Sequence, residues 1–258
     1  MLAWYIYFIL IGLFLGSFTN VLIYRIPEKR SIIFPNSFCP ACDRPIKFYD
    51  NIPVLSYIFL GGRCRSCKEK ISPLYPAIEL LTAAITVTAF AVLGFSPGFF
   101  VFLAAIPVLI SIAVIDIKTM YIYDGELIFL SVVLFIDLLR RFLMERKIPL
   151  DNILSGISLL VFFGAVFFIA KLIYRKEAFG SGDVLLAALL AAFLGMRSIF
   201  VFVLIATSTG ALTGLAVLAL KKKRYVPFGP FIILSFLVIF IFEDILKRVI
   251  PGFFLIIN

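Results

Sequence analysis

VLLAALLAAFLGMRSIFVFVLIATSTGALTGLAVLAL, residues 184–220, runs for 37 residues with a single charged side chain, Arg197. About 20 apolar residues cross the ~30 Å hydrocarbon layer of a bilayer. The stretch is too long for one crossing and just enough for two, and the break is expected at Gly195-Met196-Arg197-Ser198. Ala206 to Gly214, rich in Thr, Ser and Gly, reads as a surface for close helix packing. Similar apolar runs occupy 2–24, 77–94, 98–116, 122–139, 152–174 and 227–246. With the long run split, eight transmembrane helices are expected.

Composition agrees. Of 258 residues, 63% are hydrophobic and 15% charged, and the mean hydropathy is +1.13. A soluble domain is about half apolar and a quarter charged. Leu2 to Tyr24 has no basic residue ahead of it and no small-residue cleavage site after it, so it reads as a retained first helix rather than a secretory signal. The net charge of +9 is read as topology and contact with anionic lipid rather than nucleic-acid binding.

Loop charges orient the chain. If the long polar stretch Arg25–Pro76 is cytosolic, it brings nine Lys/Arg to that side, joined by Lys118, three residues at 171–176 and four at 221–224. Seven remain outside: Arg140, Arg141, Arg146, Lys147, Arg197, Lys247 and Arg248. The positive-inside rule then gives an N-out arrangement. The cluster Arg140–Lys147 runs against it.

Arg25–Pro76 also carries all four cysteines, as Cys39-Pro-Ala-Cys42 and Cys64-Arg-Ser-Cys67. Two such pairs suit a tetrahedral zinc site, and four protein ligands leave no open position, so the role is structural. Arg63, Arg65 and Lys68 beside the second pair favour thiolates. A disulfide pairing is the alternative, disfavoured in a reducing cytosol. The expected class is therefore an all-α polytopic membrane protein with a small cytosolic four-cysteine zinc loop between helices 1 and 2. Its parts are helix 1 at 1–24, the loop at 25–76, a membrane core at 77–248 and a short tail at 249–258.

No histidine is present, which removes the Ser-His-Asp triad and histidine metal ligands. Hydrolytic chemistry must then rest on carboxylates, Cys, Lys or Tyr. Asp116 closes one apolar run in Ala-Val-Ile-Asp-Ile-Lys, and Asp183 opens another in Phe-Gly-Ser-Gly-Asp-Val-Leu. Loop charges place both at the cytosolic boundary. Taken singly, each also fits a residue marking a helix end, Asp183 favoured by the helix dipole. As a pair at membrane depth they point to function. Gly180 and Gly182 permit close backbone approach, and two adjacent carboxylates sharing a proton can activate water and polarise a carbonyl.

Several motifs in order carry a family resemblance. Gly16-Ser-Phe-Thr-Asn20-Val-Leu-Ile-Tyr-Arg25-Ile-Pro27, Asn51-Ile-Pro-Val-Leu-Ser-Tyr57, the cysteine pairs, Gly62-Arg63 and Tyr75-Pro76-Ala-Ile-Glu79 form its first half. Asp116, Gly180-Ser-Gly-Asp183 and Pro227-Phe-Gly-Pro-Phe231 complete it. Together they resemble the type IV prepilin peptidases, Gly-x-Gly-Asp membrane aspartyl proteases. The resemblance implies Asp116 and Asp183 as catalytic residues, with Gly180, Gly182 and Asp124 in support. It implies cleavage of the basic leader of prepilins and pseudopilins after a glycine, at the cytosolic face of the bacterial inner membrane. Four-cysteine members are typically bifunctional, methylating the new N-terminus from S-adenosylmethionine; Gly62, Arg63 and Glu79 are the residues assigned to that region. Tyr123 stands where the family usually has proline, which leaves the turn into the next helix less rigidly set. Glu79 and Asp124 are expected to meet the basic leader. Rival readings are another intramembrane aspartyl protease without methyl transfer, a scaffold presenting a zinc module, and a transporter.

Overall fold

The computed structural model describes residues 2–174, 180–220 and 226–249. Arg175, Lys176 and the four basic residues at 221–224, used above to orient the chain, lie outside them. The chain divides into two compact units, Met1–Ser111 and Ile112–Asn258, and among the described residues it is all helical apart from isolated bridges.

The first unit holds α1 (Leu2–Arg25), a short α2 (Leu55–Phe59), α3 (Leu74–Leu93) and the start of α4 (Pro97–Thr119). α1 and α3 pack antiparallel because two glycines, one turn apart, leave room for backbone. A Cβ at Gly12 would stand 2.5 Å from Ala83 Cα, and one at Gly16 2.5 Å from Glu79 Cα. One turn further, Asn20 Nδ2 donates to the Tyr75 carbonyl at 3.0 Å. Small residues spaced by four let membrane helices approach this closely. The opposite end of the pair is closed by Phe8, Phe90, Phe95 and Phe99, with Phe8 4.3 Å from Phe90 and 4.9 Å from Phe99 between ring centres. Gly16→Val forces side-chain atoms into the Glu79 backbone. Overpacking costs about 1–3 kcal/mol, so the melting temperature should fall by roughly 2–10 °C, at about 2–4 °C per kcal/mol. Thermal unfolding of the detergent-solubilised protein followed by Trp4 fluorescence measures it.

The second unit is arranged around a short helix. It contains the end of α4, α5 (Asp124–Glu145), α6 (Leu150–Tyr174), α7 (Ser181–Leu194), a 3₁₀ turn at Met196–Ser198, α8 (Ile199–Ala219) and α9 (Gly229–Val249). α5, α6, α8 and α9 all pack against α7. The expected break in 184–220 is present: Gly195 takes φ 88 and α7 ends before it. α6 caps that end. Asn152 and Ser155 donate to the Ala192 and Ala191 carbonyls at 2.7 Å each, and Asp151 accepts from Met196 N–H at 3.1 Å. These contacts satisfy carbonyls that a helix terminus would otherwise leave unpaired.

Among the described residues six helices are long and apolar enough to cross a bilayer, and the chain is a multi-pass membrane protein. The other two expected spans differ for stated reasons. α7 has 14 residues, about 21 Å at 1.5 Å per residue. α5 has 22 residues but includes Asp124, Glu126, Asp137, Arg140, Arg141 and Glu145. The buried Asp137 accepts from Arg140 at 2.7 Å and Arg141 at 2.8 Å, so half of the anomalous basic cluster is paired within its own helix. On α8 the Thr207, Ser208 and Thr209 hydroxyls each bond back to a carbonyl one turn earlier. Within the expected packing surface Ala206 is buried, and Gly210 meets the rings of Phe228 and Phe231.

Candidate active site

Asp116 lies in the last turns of α4 and Asp183 in the first turn of α7, exposed by only 4% and 8%. Each carboxylate is gripped by a backbone amide beside a glycine. Gly229 N–H, at the start of α9, donates to Asp116 Oδ2 at 3.0 Å. Gly180 N–H donates to Asp183 Oδ2 at 3.1 Å, closing the first turn of α7 on itself. Asp183 Oδ1 is buried and has no hydrogen-bond partner among the described residues. The two carboxylates are near enough for the charge of Asp116 to act on Asp183.

Three close approaches hold this arrangement. A Cβ on Gly182 would lie 3.0 Å from Ile122 Cβ; one on Gly229 would lie 2.7 Å from Asp116 Oδ2 and 3.5 Å from Ile122 Cδ1. Ile122 is therefore wedged between the glycine preceding Asp183 and the glycine bound to Asp116. Gly229→Ala leaves the amide in place but pushes the carboxylate aside. A displacement near 1 Å can cost about 10²-fold, so turnover should drop by roughly 10- to 100-fold with little change in melting temperature. Cleavage kinetics beside a thermal melt check both.

Asp124 is not part of this cluster. It is exposed at the start of α5. The acid buried there is Glu126, 2% exposed, which sequence reading passed over. Tyr123 takes φ −86 and ψ 137, an extended conformation close to that of proline. Its ring meets Tyr121 edge-on at 4.9 Å, and its carbonyl accepts the Glu126 N–H at 3.1 Å. An aromatic pair thus stands at the turn where the resemblance leads one to expect a proline.

The four cysteines come together in the first unit. All four Sγ atoms lie within 4.8 Å of one another, and Cys39 and Cys67 are 3.8 Å apart. A tetrahedron with Zn–S bonds of about 2.3 Å has edges of about 3.8 Å, so the donor set fits zinc. The two pairs are backbone copies. Cys39 N–H donates to Arg44 O and Asp43 N–H to Cys39 O; Cys64 N–H donates to Glu69 O and Lys68 N–H to Cys64 O. Asp43 and Lys68 share a positive φ, 52 and 61, and bridges Phe38–Pro45 and Arg63–Lys70 close each knuckle. The amides of Cys67 and Ser66, directed at its sulfur, bring the Cys64 thiol down to about 7. This depression comes from backbone dipoles. Of Arg63, Arg65 and Lys68, the three expected to favour the thiolates, Arg65 is engaged by Asp50 at 2.6 Å, and that pairing lowers the Asp50 carboxyl.

Beside the knuckles is a cavity of about 420 Å³, walled by Ser17, Tyr24, Val54, Tyr57, Tyr75 and Glu79 among others. Gly62 and Arg63 are not in its wall. Gly62, at φ 66, sits 3.0 Å beneath the Tyr57 hydroxyl as measured from a Cβ position, and Arg63 is exposed.

In this multi-pass membrane protein, then, two buried carboxylates are each held by a glycine amide. The chain belongs to the type IV leader peptidase family. Residues 10–93 match the family model "Bacterial Peptidase A24 N-terminal domain" and residues 103–215 the model "Type IV leader peptidase family". It is 34% identical to the type 4 prepilin-like proteins leader peptide-processing enzyme of Escherichia coli, over 85% of this chain and 87% of that one. It is 33% identical to the prepilin leader peptidase/N-methyltransferase of Neisseria gonorrhoeae, over 92% and 90%. To the enzyme of the same name from Aeromonas salmonicida it is 30% identical, over 96% and 94%. No solved structure matches the chain.

Proposed function

We propose that this protein cuts the basic leader from prepilins and pseudopilins after a glycine, with Asp116 and Asp183 as the catalytic pair, and then methylates the new N-terminus. The observation that carries the reading is the pair itself: two buried carboxylates, each held through one oxygen by a glycine amide. One carboxylate acts as base on a water while the other, protonated, polarises the scissile carbonyl. The amide bonds fix which oxygens remain available, and the dry surroundings strengthen the exchange of one proton between the two groups. Neither histidine nor metal is required.

The loop-charge bias supports eight crossings with the N-terminus outside and the pair at the cytosolic face. Asp124, exposed at the head of α5, is the acid on the pair's own unit that is suited to meet a basic leader. Cys39, Cys42, Cys64 and Cys67 hold a structural zinc. Methyl transfer belongs to the cavity of the first unit. Its volume is of ligand size, about 300–1,000 Å³ for such sites, and the tyrosine faces in its wall suit the sulfonium of S-adenosylmethionine. That cosubstrate supplies an activated methyl group; the residues of this chain bind and orient it.

The test is incubation of purified protein in micelles with a pilin-like precursor and S-adenosylmethionine, followed by mass spectrometry. Cleavage after glycine and a product heavier by one methylene are expected. An uncut precursor overturns the peptidase reading, and a cut but unmodified product overturns the transferase half alone.

A further inference from the structure

The wall of the cavity beside the cysteine knuckles carries the bases Arg25, Arg44, Lys47, Arg65 and Lys70 and the acids Asp50, Glu69 and Glu79, and of these acids Glu79 alone is buried. Glu79, 8% exposed, lies where α1 and α3 come closest, with Gly16 against its Cα. Its Oε2 accepts the Val54 N–H at 2.7 Å, and the Ser17 hydroxyl also faces the carboxylate. No basic side chain pairs with it among the described residues. A carboxyl group so enclosed without a cation is unusual in a folded protein.

The backbone that serves it is strained. Val54 takes φ 61 and ψ −49, and Leu55 N–H reaches back to Pro53 O at 2.6 Å. A β-branched residue avoids this conformation, and strain of this kind gathers at functional sites. Its product here is an amide aimed at Glu79. Ser56 anchors the turn from both sides, accepting from Ile52 N–H at 3.0 Å and donating to Tyr49 O at 2.9 Å. The segment Asn51–Tyr57 thus holds one carboxylate oxygen still inside a ligand-sized space.

We infer that Glu79 receives the newly exposed α-ammonium of the cleaved chain and takes the proton it must lose before methylation. This rests on the proposed transferase activity and adds the catalytic group. A carboxylate prefers a partner that donates N–H bonds, which an ammonium does and a sulfonium does not; the sulfonium is left to the aromatic faces. The α-ammonium gives one proton to Glu79. The freed lone pair on nitrogen forms the N–C bond to the methyl group of the sulfonium donor. The C–S bond breaks with its electrons remaining on sulfur, which becomes a neutral thioether. The product is a methylammonium, and the proton leaves on Glu79.

The experiment uses full-length protein in micelles, with Glu79→Gln and Glu79→Asp beside the native chain. Binding of a short peptide beginning with a free Phe amine is compared with its N-acetylated analogue. Methylation of the free peptide is followed from pH 6 to 9. The native chain should prefer the free amine by about tenfold, and Glu79→Gln should remove the preference. Glu79→Gln should also slow methyl transfer by about 10²-fold or more, its residual rate rising with pH as the amine deprotonates in solution. Glu79→Asp should recover part of both. Equal methylation by Glu79→Gln and the native chain would overturn the inference and leave the transferase reading standing. Absence of methylation by the native chain would defeat both. Joint loss of methylation and leader cleavage in Glu79→Gln would assign the residue to folding and also overturn it. A basic-leader peptide that competes equally for this site would show that Glu79 reads the leader instead, which is a third refutation.

Discussion

Asp116→Asn and Asp183→Asn each lower the rate of leader cleavage by about 10³-fold or more, with no loss of folding stability. The rate effect follows from roles that cannot be exchanged with an amide. Asn neither accepts a proton from water at neutral pH nor donates one to a carbonyl, and removing an acid–base group costs about 10²–10⁴-fold. The stability effect follows from geometry. The side-chain oxygen of Asn can still accept from Gly229 N–H or Gly180 N–H, so the glycine contacts survive. Replacing one of two neighbouring buried carboxylates removes like-charge strain, so the melting temperature should hold or rise. Single-turnover cleavage by mass spectrometry and thermal melts of the same preparations give the two numbers. Cleavage within tenfold of the native rate in either variant would remove that aspartate from the chemistry.

Removing zinc has the second large effect. Among the described residues the knuckles have no extended sheet or apolar core of their own; each is closed by one isolated bridge and a few backbone bonds. In modules of this size the metal supplies the folding energy, with apparent binding energies of about 10–16 kcal/mol. Cys39→Ser, at the buried ligand, or a strong chelator should therefore unfold 36–73 and open it to protease. Zinc content should fall from about one per chain to near none, and methyl transfer should disappear with the cavity. Among the described residues the hydrogen bonds to the Asp116 and Asp183 carboxylates come from Gly229 and Gly180 of the second unit, so cleavage should fall far less. Parallel assays of zinc, limited proteolysis, cleavage and methylation separate these outcomes. Unchanged proteolysis after chelation would assign the cysteines a role other than holding the module together.

Apolar run length, cysteine spacing and the glycines before Asp183 are local properties. They were legible because a bilayer demands about 20 apolar residues and a tetrahedral metal demands paired thiolates. The break at Gly195 was legible too, since only glycine readily takes its positive φ. The partners at that break were not: Asn152 and Ser155, distant in sequence, satisfy the terminal carbonyls of α7, and no periodicity in α7 records that. That Glu126 is buried while Asp124 is exposed was not legible either; exposure depends on neighbours, not on adjacency to a turn.

The sequence alone determined that this chain crosses a membrane, carries a four-cysteine module and has a Gly-x-Gly-Asp step with a second acid in the expected order. It did so because solvent, metal and backbone conformation act on residues close together along the chain. Only the tertiary structure decided that Gly229 holds Asp116, that Ile122 is wedged at both glycines, and that strained Val54 serves Glu79. Those contacts join residues 25 to 113 positions apart, and a hydrogen bond at that separation leaves no periodic trace in sequence.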